Sequence, residues 1–270
     1  MVEIDFCLPD LRLRPFIKMY FWGRDANPPL AQRVVPNGEM GLLFYRGNKV
    51  SLDGDRSMQS CIKGQSMRYH DIISMGGIEI VGAHFTVLGA SLFFKVPLIE
   101  HFETTTELDD LKDCELMELK ERVMLANCHT ECWKEMERFF LHKLSSNTDI
   151  ELLNLRRLHR AISYGQHHIA TARIGDIASE ACLSQRQFGR LFVNLVGLSP
   201  KDYIRLLRYR NTLLDLKRNS CILSMEEIAW RNGYYDYSHL FYDFRKISGY
   251  SPKQLLKVSA SENDTVGWRI

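Results

Sequence analysis

The stretch IGDIASEACLSQRQFGRLFVNLVGLSP, from Ile174 to Pro200, is followed by a second copy of its pattern, MEEIAWRNGYYDYSHLFYDFRKISGYSP, from Met225 to Pro252. Phe192 corresponds to Phe244 and Gly197 to Gly249 at a constant offset of 52 residues. The Ser-Pro pairs that close the two copies have the same offset. Such a regular repeat indicates a duplicated supersecondary unit.

Each copy is predicted to form a short helix, a tight turn and a second helix. Ser184 and Asp236 are predicted to cap the two second helices, and Gly197 and Gly249 to end them. The predicted buried faces are Phe188, Leu191, Phe192 and Leu195 in the first copy, and Leu240, Phe241, Phe244 and Ile247 in the second. This arrangement is the helix-turn-helix, in which the second helix enters the major groove of DNA.

The second copy resembles the signature of AraC/XylS-type transcription regulators. The resemblance covers roughly residues 151–257 and rests on these residues: Ile228, Ala229, Gly233, Tyr234, Asp236, Ser238, His239, Leu240, Phe244, Arg245, Lys246, Gly249, Ser251 and Pro252. It implies an activator of transcription with RNA polymerase as a partner. Tyr242 departs from the family, which often has an arginine there, and the departure puts a guanine contact from this position in doubt.

The faces opposite the predicted cores supply the candidates for contacts with bases. Arginine can read guanine and glutamine can read adenine in the major groove. The candidates are Gln185, Arg186, Gly189 and Arg190 in the first copy, and Tyr237, Ser238 and Tyr242 in the second. Because the second set is poorer in base-specific groups, we expect the first copy to carry more of the sequence discrimination.

Contacts with phosphates are expected at the helix N-termini at Ser199 and Ser251 and from nearby basic side chains. The full set of candidates is Ser199, Lys201, Arg208, His239, Arg245, Lys246, Ser251 and Lys253. His239 fits a buried helix contact equally well. A long helix from Pro200 to about Arg218 is predicted to join the two copies rigidly, which keeps the recognition helices about one DNA turn, ~34 Å, apart.

The charge of the chain is unevenly distributed. Residues 1–150 contain 17 Lys and Arg against 22 Asp and Glu, a net charge of −5. Residues 151–258 contain 17 against 9, a net charge of +8. A basic half beside an acidic half fits a module for double-stranded DNA beside a domain with another task.

The N-terminal half is predicted to be a small antiparallel sheet or partial barrel followed by two amphipathic helices, which makes the whole chain α+β. Strands are expected over 14–24, 32–35, 40–45 and 78–87, between turns rich in Gly and Pro. The helices are expected over 108–126 and 130–144, and they either pack on the sheet or form a dimer interface. Trp22, residues 35–38 and residues 81–85 give a less specific likeness to the sensing half of some AraC/XylS-type regulators.

Three segments are therefore expected: a sensing or dimerisation domain at 1–145, a DNA-binding domain at 149–258 and a tail at 259–270. The linker is predicted at 145–148, where the sequence is polar. The resemblance implies a small-molecule effector, a homodimer, or both. The candidates for an effector pocket are Trp22, Arg33, Glu39, Tyr69 and His84, although each also suits an ordinary strand or surface position.

Several other classes of protein find little support. The chain lacks the sequence motifs GxSxG, HExxH, GxGxxG and the P-loop, so no catalytic residues and no cofactor are expected. Cys128, His129 and Cys132 lack a nearby fourth ligand, so no metal site is expected. No apolar stretch suits a membrane span or a signal peptide, and the seven cysteines fit reduced thiols in the cytoplasm. A DNA-binding protein whose first half only dimerises remains an alternative to the sensor.

Overall fold

The computed structural model describes residues 2–26, 30–54, 57–94, 96–146, 149–219 and 222–260. Strands occupy the first part of the chain, short helices follow them, and the described residues from 149 onward form helices with short turns and loops between them. The α+β class, with a sheet region followed by an all-α region, is confirmed.

Within these ranges the N-terminal half contains ten strands: β1 (Val2–Cys7), β2 (Ile17–Asp25), β3 (Leu30–Val34), β4 (Gly41–Gly47), β5 (Val50–Leu52), β6 (Ser57–Met58), β7 (Ser60–Lys63), β8 (His70–Ser74), β9 (Ile78–Phe85) and β10 (Thr105–Glu107). One antiparallel sheet has the order β1-β2-β9-β4-β7-β10, and a second has the order β3-β8-β5-β6. The side chains of β4 show how the sheets stack, because neighbours along a strand point to opposite faces. Leu43 and Tyr45 pack with the second sheet, whereas Leu42 and Phe44 face the helices.

The helices of the N-terminal half are α1 (Ala90–Phe93), a 3-10 helix (Leu98–His101), α2 (Leu108–Leu111), α3 (Cys114–Leu125) and α4 (His129–Leu144). The single helix predicted over 108–126 is wrong, because the chain is broken there. Lys112 adopts a left-handed conformation, and Asp113 caps α3 by accepting bonds from the N–H groups of Glu115 and Leu116.

The apolar stripes of α3 and α4 are used inside the domain. Leu119 and Val123 of α3 and Met136 and Phe140 of α4 are fully buried in the core that they share with the first sheet. A dimer contact through these helices would therefore have to use their outer faces, which are rich in charged side chains.

Two strands, β1 and β10, were not predicted, and a third begins later than predicted. β1 alternates apolar and polar residues over positions 2–6, a period of two that is typical of strands. β10 has only three residues, Thr105–Glu107, and owes its form to pairing with β7. The strand predicted over 14–24 starts only at Ile17, because residues 11–16 form turns.

The C-terminal half consists of α5 (Asp149–His167), α6 (Ile174–Glu180), α7 (Gln185–Val196), α8 (Pro200–Asn219), α9 (Met225–Arg231), α10 (Tyr237–Ser248) and α11 (Pro252–Ala260). The predicted caps are confirmed. Ser184 accepts a bond from the N–H of Gln187, and Asp236 accepts one from the N–H of His239. Gly197 and Gly249 end α7 and α10 with φ of +80° and +76°, a left-handed conformation that favours glycine.

The predicted linker and tail are only partly described. Ser145 and Ser146 form the turn that ends α4, and residues 147 and 148 lie outside the described ranges. Of the predicted tail, residues 259 and 260 belong to α11, and residues 261–270 lie outside the described ranges.

The N-terminal half contacts the ends of both recognition helices and the helix between them. A Cβ on Gly197 would lie 2.8 Å from the carbonyl oxygen of Leu98, and one on Gly249 would lie 2.6 Å from the guanidinium of Arg33. Between these points, Arg210 of α8 donates a hydrogen bond of 3.2 Å to the carbonyl of Asn37. The contacts at the recognition helices lie at their C-terminal ends, away from the N-terminal turns that would enter a groove.

Candidate nucleic-acid interface

The first recognition helix, α7, presents a free polar face near its N-terminus. Gln185, Arg186 and Arg190 are exposed there, and the space around Gly189 is open. The opposite face holds Phe188, Phe192 and Val196 in the core. The four candidates of the first copy therefore share one accessible face, as a helix that reads base edges requires.

The second recognition helix, α10, differs from the prediction at two residues. Phe241, predicted as core, is 39% exposed, and Asp243 is buried with 2% of its surface exposed. Leu240, Phe244 and Ile247 form the buried seam, and Phe241 lies about a quarter-turn outside it. Phe241 was predicted to be buried because its side chain is aromatic and apolar. Its position on the helix, outside the buried seam, leaves it exposed instead.

The other candidates of the second copy lie on the outer side of α10. Ser238 is exposed, and Tyr242 is 63% exposed. Tyr237 is half-buried, and its ring lies 6.1 Å from that of Phe241. The accessible face of α10 is thus mainly aromatic, in contrast to the polar face of α7.

Asp243 is buried because Arg205 of α8 neutralises it. The Arg205 Nε lies 2.8 Å from the Asp243 Oδ1, and the Nη2 of the same guanidinium also donates to that oxygen. This ion pair fixes the second recognition helix on α8. Sequence reasoning missed it, although a carboxylate on the apolar side of a predicted helix is a signal that a cationic partner is needed.

The phosphate candidates at the N-terminus of α8 lie beside both a basic and an acidic side chain. The Ser199 hydroxyl caps the helix by bonding the Asp202 N–H at 3.1 Å, and it also bonds the Asp202 carboxylate. Lys201 is exposed beside them. A carboxylate in the first turn opposes a phosphate at this helix end, which makes Ser199 a weaker candidate than Lys201.

The N-terminus of α11 suits a phosphate better. The Ser251 hydroxyl accepts a hydrogen bond from the Gln254 N–H, and the Ser251 N–H donates one to the Gln254 side-chain oxygen. The first turn of α11 has no acidic residue. Exposed Arg245 and Lys246 close the preceding helix, and Lys253 lies in the first turn. The structure therefore brings the basic candidates of the second copy to one helix end.

Arg208 and His239 have structural contacts. The Arg208 Nε donates to the carbonyl of Ile169 at 3.3 Å, which ties the segment after α5 to α8. The His239 ring is exposed rather than buried, and it packs edge-on against Tyr234 with ring centroids 5.3 Å apart. Of the two, His239 is the more accessible to a phosphate.

The five effector candidates are not brought to one pocket. Trp22 lies on the helix side of the first sheet, where it stacks on His129 at 4.5 Å and donates to Glu79 at 3.0 Å. His84 lies on the other face of that sheet, 4.6 Å from the ring of Phe21. Glu39 lines a shallow recess beside Gln65 and His70 and accepts a bond of 2.9 Å from Lys18.

Arg33 and Tyr69 do meet, at the contact with the C-terminal half. The Arg33 guanidinium bonds both oxygens of Asp71, at 2.8 and 2.9 Å. It also lies 3.8 Å from the ring centroid of Tyr69 and 5.0 Å from that of Tyr250, which follows α10. The two candidates therefore lie between the halves, Arg33 through a cation–π contact with Tyr250 and Tyr69 beside Gly249, rather than line a cavity.

The burial of His84 predicts a dependence of stability on pH. Burial, and secondarily the positive charge of Lys63, lowers the pKa of His84 to about 3, and neither ring nitrogen has a hydrogen-bond partner among the described residues. The unfolded chain takes up a proton as the pH falls below about 6.5, but the folded chain does not. We expect stability to fall between about pH 6.5 and 3, by up to about 1.4 kcal/mol per pH unit from this group.

Urea unfolding at a series of pH values checks this expectation. A His84→Gln variant, which cannot be protonated, should show a shallower loss of stability in that range than the parent. Equal slopes for parent and variant would contradict the assigned role of His84, whatever the absolute stability of the variant.

Two further observations concern metal ions and membranes. In the described part of the chain, no three His, Cys, Asp or Glu side chains group as metal ligands would. His129, one of the residues considered for a metal, instead bonds Asp5 at 3.0 Å. Over the same residues, none of the helices has the length and apolar character needed to cross a bilayer.

Comparison with known families places the two halves separately. A family model described as a helix-turn-helix domain matches residues 177–257, and one described as a domain of unknown function (DUF6597) matches residues 5–107. The fold and the free recognition faces define a helix-turn-helix protein. The C-terminal half therefore contains a helix-turn-helix domain of the AraC type, a DNA-binding domain of transcription regulators.

Similar solved structures cover either the C-terminal half or nearly the whole chain. An AraC-type regulator from Chromobacterium violaceum is 24% identical over 40% of this chain and 96% of its own, with a TM-score of 0.38. The DNA-binding domain of AdpA, solved with a target DNA, is 23% identical over 40% and 96%, with a TM-score of 0.36. ToxT from Vibrio cholerae is 12% identical over 89% and 98%, with a TM-score of 0.46. No curated protein matches the chain significantly in sequence.

Proposed function

We propose that this protein binds duplex DNA at a specific sequence through α7 and α10 and activates transcription from there. The observation that carries the proposal is the pair of equivalent helices with accessible N-terminal faces, joined by one continuous helix. α8 has 20 residues and so spans about 30 Å, close to the ~34 Å that separates consecutive major-groove segments on one face of DNA.

The contacts follow from the exposed side chains. Gln185, Arg186 and Arg190 read bases around Gly189, and Tyr237, Ser238 and Tyr242 contact the second groove segment. Lys201, Arg245, Lys246 and Lys253 bind phosphates, which position the protein without specifying the sequence. Ser199, Arg208, His239 and Ser251 are weaker phosphate contacts, because the two hydroxyls cap helices, Arg208 bonds the Ile169 carbonyl and His239 packs against Tyr234.

The two halves then have different tasks. Residues 149–258 form the DNA-binding domain, and residues 1–145 sense a small molecule, mediate self-association, or do both. The support is the contact of the N-terminal half with the ends of both recognition helices, which lets a change in one half alter the spacing in the other. RNA polymerase is the proposed protein partner, and the cytoplasm, where the genome lies, is the proposed location.

The test is selection of binding sites from random duplexes by the full chain, followed by affinity measurements across a salt series. We expect one enriched sequence and a linear fall of log affinity with log salt. Because each phosphate contact contributes about −0.9 to that slope, Lys253→Gln should make the slope shallower by about one and weaken all duplexes alike.

Lys134→Gln provides the matched control, because Lys134 is an exposed lysine of α4 in the N-terminal half. It should leave both the slope and the selected sequence unchanged. If the full chain enriches no sequence even at low salt, the proposed function is wrong.

A further inference from the structure

The surface around the second recognition helix exposes an unusual number of aromatic side chains. Trp230 is 62% exposed and Tyr235 is 86% exposed, in addition to Phe241 and Tyr242 of α10. The Trp230 indole, near the end of α9, donates to the carbonyl of Tyr235 at 3.1 Å, so it adjoins the turn before α10. Contiguous apolar surface of this kind marks a site of interaction.

The position of the aromatic residues on α10 matters as much as their number. Ser238, Phe241, Tyr242 and Arg245 are spaced at i, i+3, i+4 and i+7, so they share the outer face of the helix. Leu240, Phe244 and Ile247 occupy the inner face. Phe241 and Tyr242 therefore stand where a recognition helix meets the edges of the bases.

A phenyl ring cannot read hydrogen-bond donors or acceptors, but the major groove also offers an apolar feature. Thymine alone presents a C5-methyl group there, and apolar side chains contact it. We infer that the second helix-turn-helix selects thymine through methyl contacts with the rings of Phe241 and Tyr242. This inference rests on the proposed function and assigns the second copy a chemistry different from that of the first.

Charge favours DNA over a protein as the occupant of this face. The only carboxylate in the sequence of α10 belongs to Asp243, which is buried against Arg205. The carboxylate of Asp236, just before the helix, caps the N-terminus. Arg245 and Lys246 flank the aromatic residues on the exposed side, so the face combines apolar rings with positive charge, as thymines beside phosphates require.

The test changes the DNA rather than the protein, so it does not depend on the folding of a variant. In the site selected by the full chain, each thymine is replaced in turn by deoxyuridine, which lacks only the methyl group. Since burying one such carbon is worth about 0.8 kcal/mol, each contacted methyl should account for about fourfold in affinity. We expect such losses within the half-site of the second copy.

Protein variants then assign the effect. A Phe241→Ser, Tyr242→Ser double variant should lose the preference for thymine over deoxyuridine at those positions, whereas Arg186→Ala should keep it. The inference would be overturned if the protein bound thymine-containing and deoxyuridine-containing duplexes equally well at every position. It would also be overturned if the second half-site contained no thymine. Either result would leave the proposed function intact.

Two other outcomes also decide the question. Unchanged affinity and unchanged selection by the double variant would show that the rings of Phe241 and Tyr242 do not contact the DNA, which overturns the inference. Failure of the parent chain to enrich any duplex at low salt would instead remove the proposed function, and the inference with it.

Discussion

Replacing Arg205 by alanine is expected to lower the free energy of unfolding by about 3–5 kcal/mol, because it leaves a buried charge without its partner. Asp243 would remain between α10 and α8, out of contact with water. The cost arises from this desolvated carboxylate and not from the loss of a surface ion pair. Urea denaturation of the parent and the variant measures the difference directly.

Two matched changes separate this explanation from a general loss of charge. Arg160→Ala removes an arginine from the exposed pair with Glu180, 3.7 Å apart, and should cost less than about 1 kcal/mol. Combining Arg205→Met with Asp243→Leu removes both charges and should recover most of the stability lost in Arg205→Ala. If Arg205→Ala is as mild as Arg160→Ala, the buried pair does not hold α10 on α8.

Replacing Arg186 and Arg190 together by alanine is expected to abolish most of the preference for the selected DNA site. A good bidentate contact between arginine and guanine contributes about 1–3 kcal/mol of discrimination. Losing two such contacts, about 2 kcal/mol or more, would lower the ratio of specific to non-specific affinity by about thirtyfold or more. Both side chains are exposed on α7, and their loss should disturb the fold little.

The measurement is the affinity for the selected site relative to a scrambled duplex at one salt concentration. Tyr242→Ala should lose less of this ratio than either Arg186→Ala or Arg190→Ala, because a ring contacts at most a methyl group. Arg156→Ala, which removes an exposed arginine of α5, is the control for total charge. Equal losses from Arg186→Ala and Tyr242→Ala would contradict the ranking of the two copies.

The free recognition faces and the contacts at the opposite helix ends suggest how the halves are coupled. Arg33 lies over the ring of Tyr250 just after α10, Tyr69 adjoins Gly249, and Leu98 abuts Gly197 at the end of α7. The N-terminal half therefore touches both units without covering the residues proposed to read DNA. A shift at either contact would change the angle between the units while leaving each reading surface intact.

The sequence alone determined the helix-turn-helix repeat and the caps that begin and end its helices. These features are local: Ser184 and Asp236 bond N–H groups three residues away, and Gly197 and Gly249 adopt a backbone conformation that other residues disfavour. The apolar faces of α3 and α4 could also be predicted, because helical spacing is visible within one segment.

Only the tertiary structure decided which residues meet across the chain. Asp243 is buried because Arg205, 38 residues away, supplies the charge that makes burial of the carboxylate possible. β10 forms because β7 lies beside it, and Trp22 and His84 are separated because the two faces of a sheet point in opposite directions. Such pairings depend on contacts between distant segments, and no local pattern specifies them.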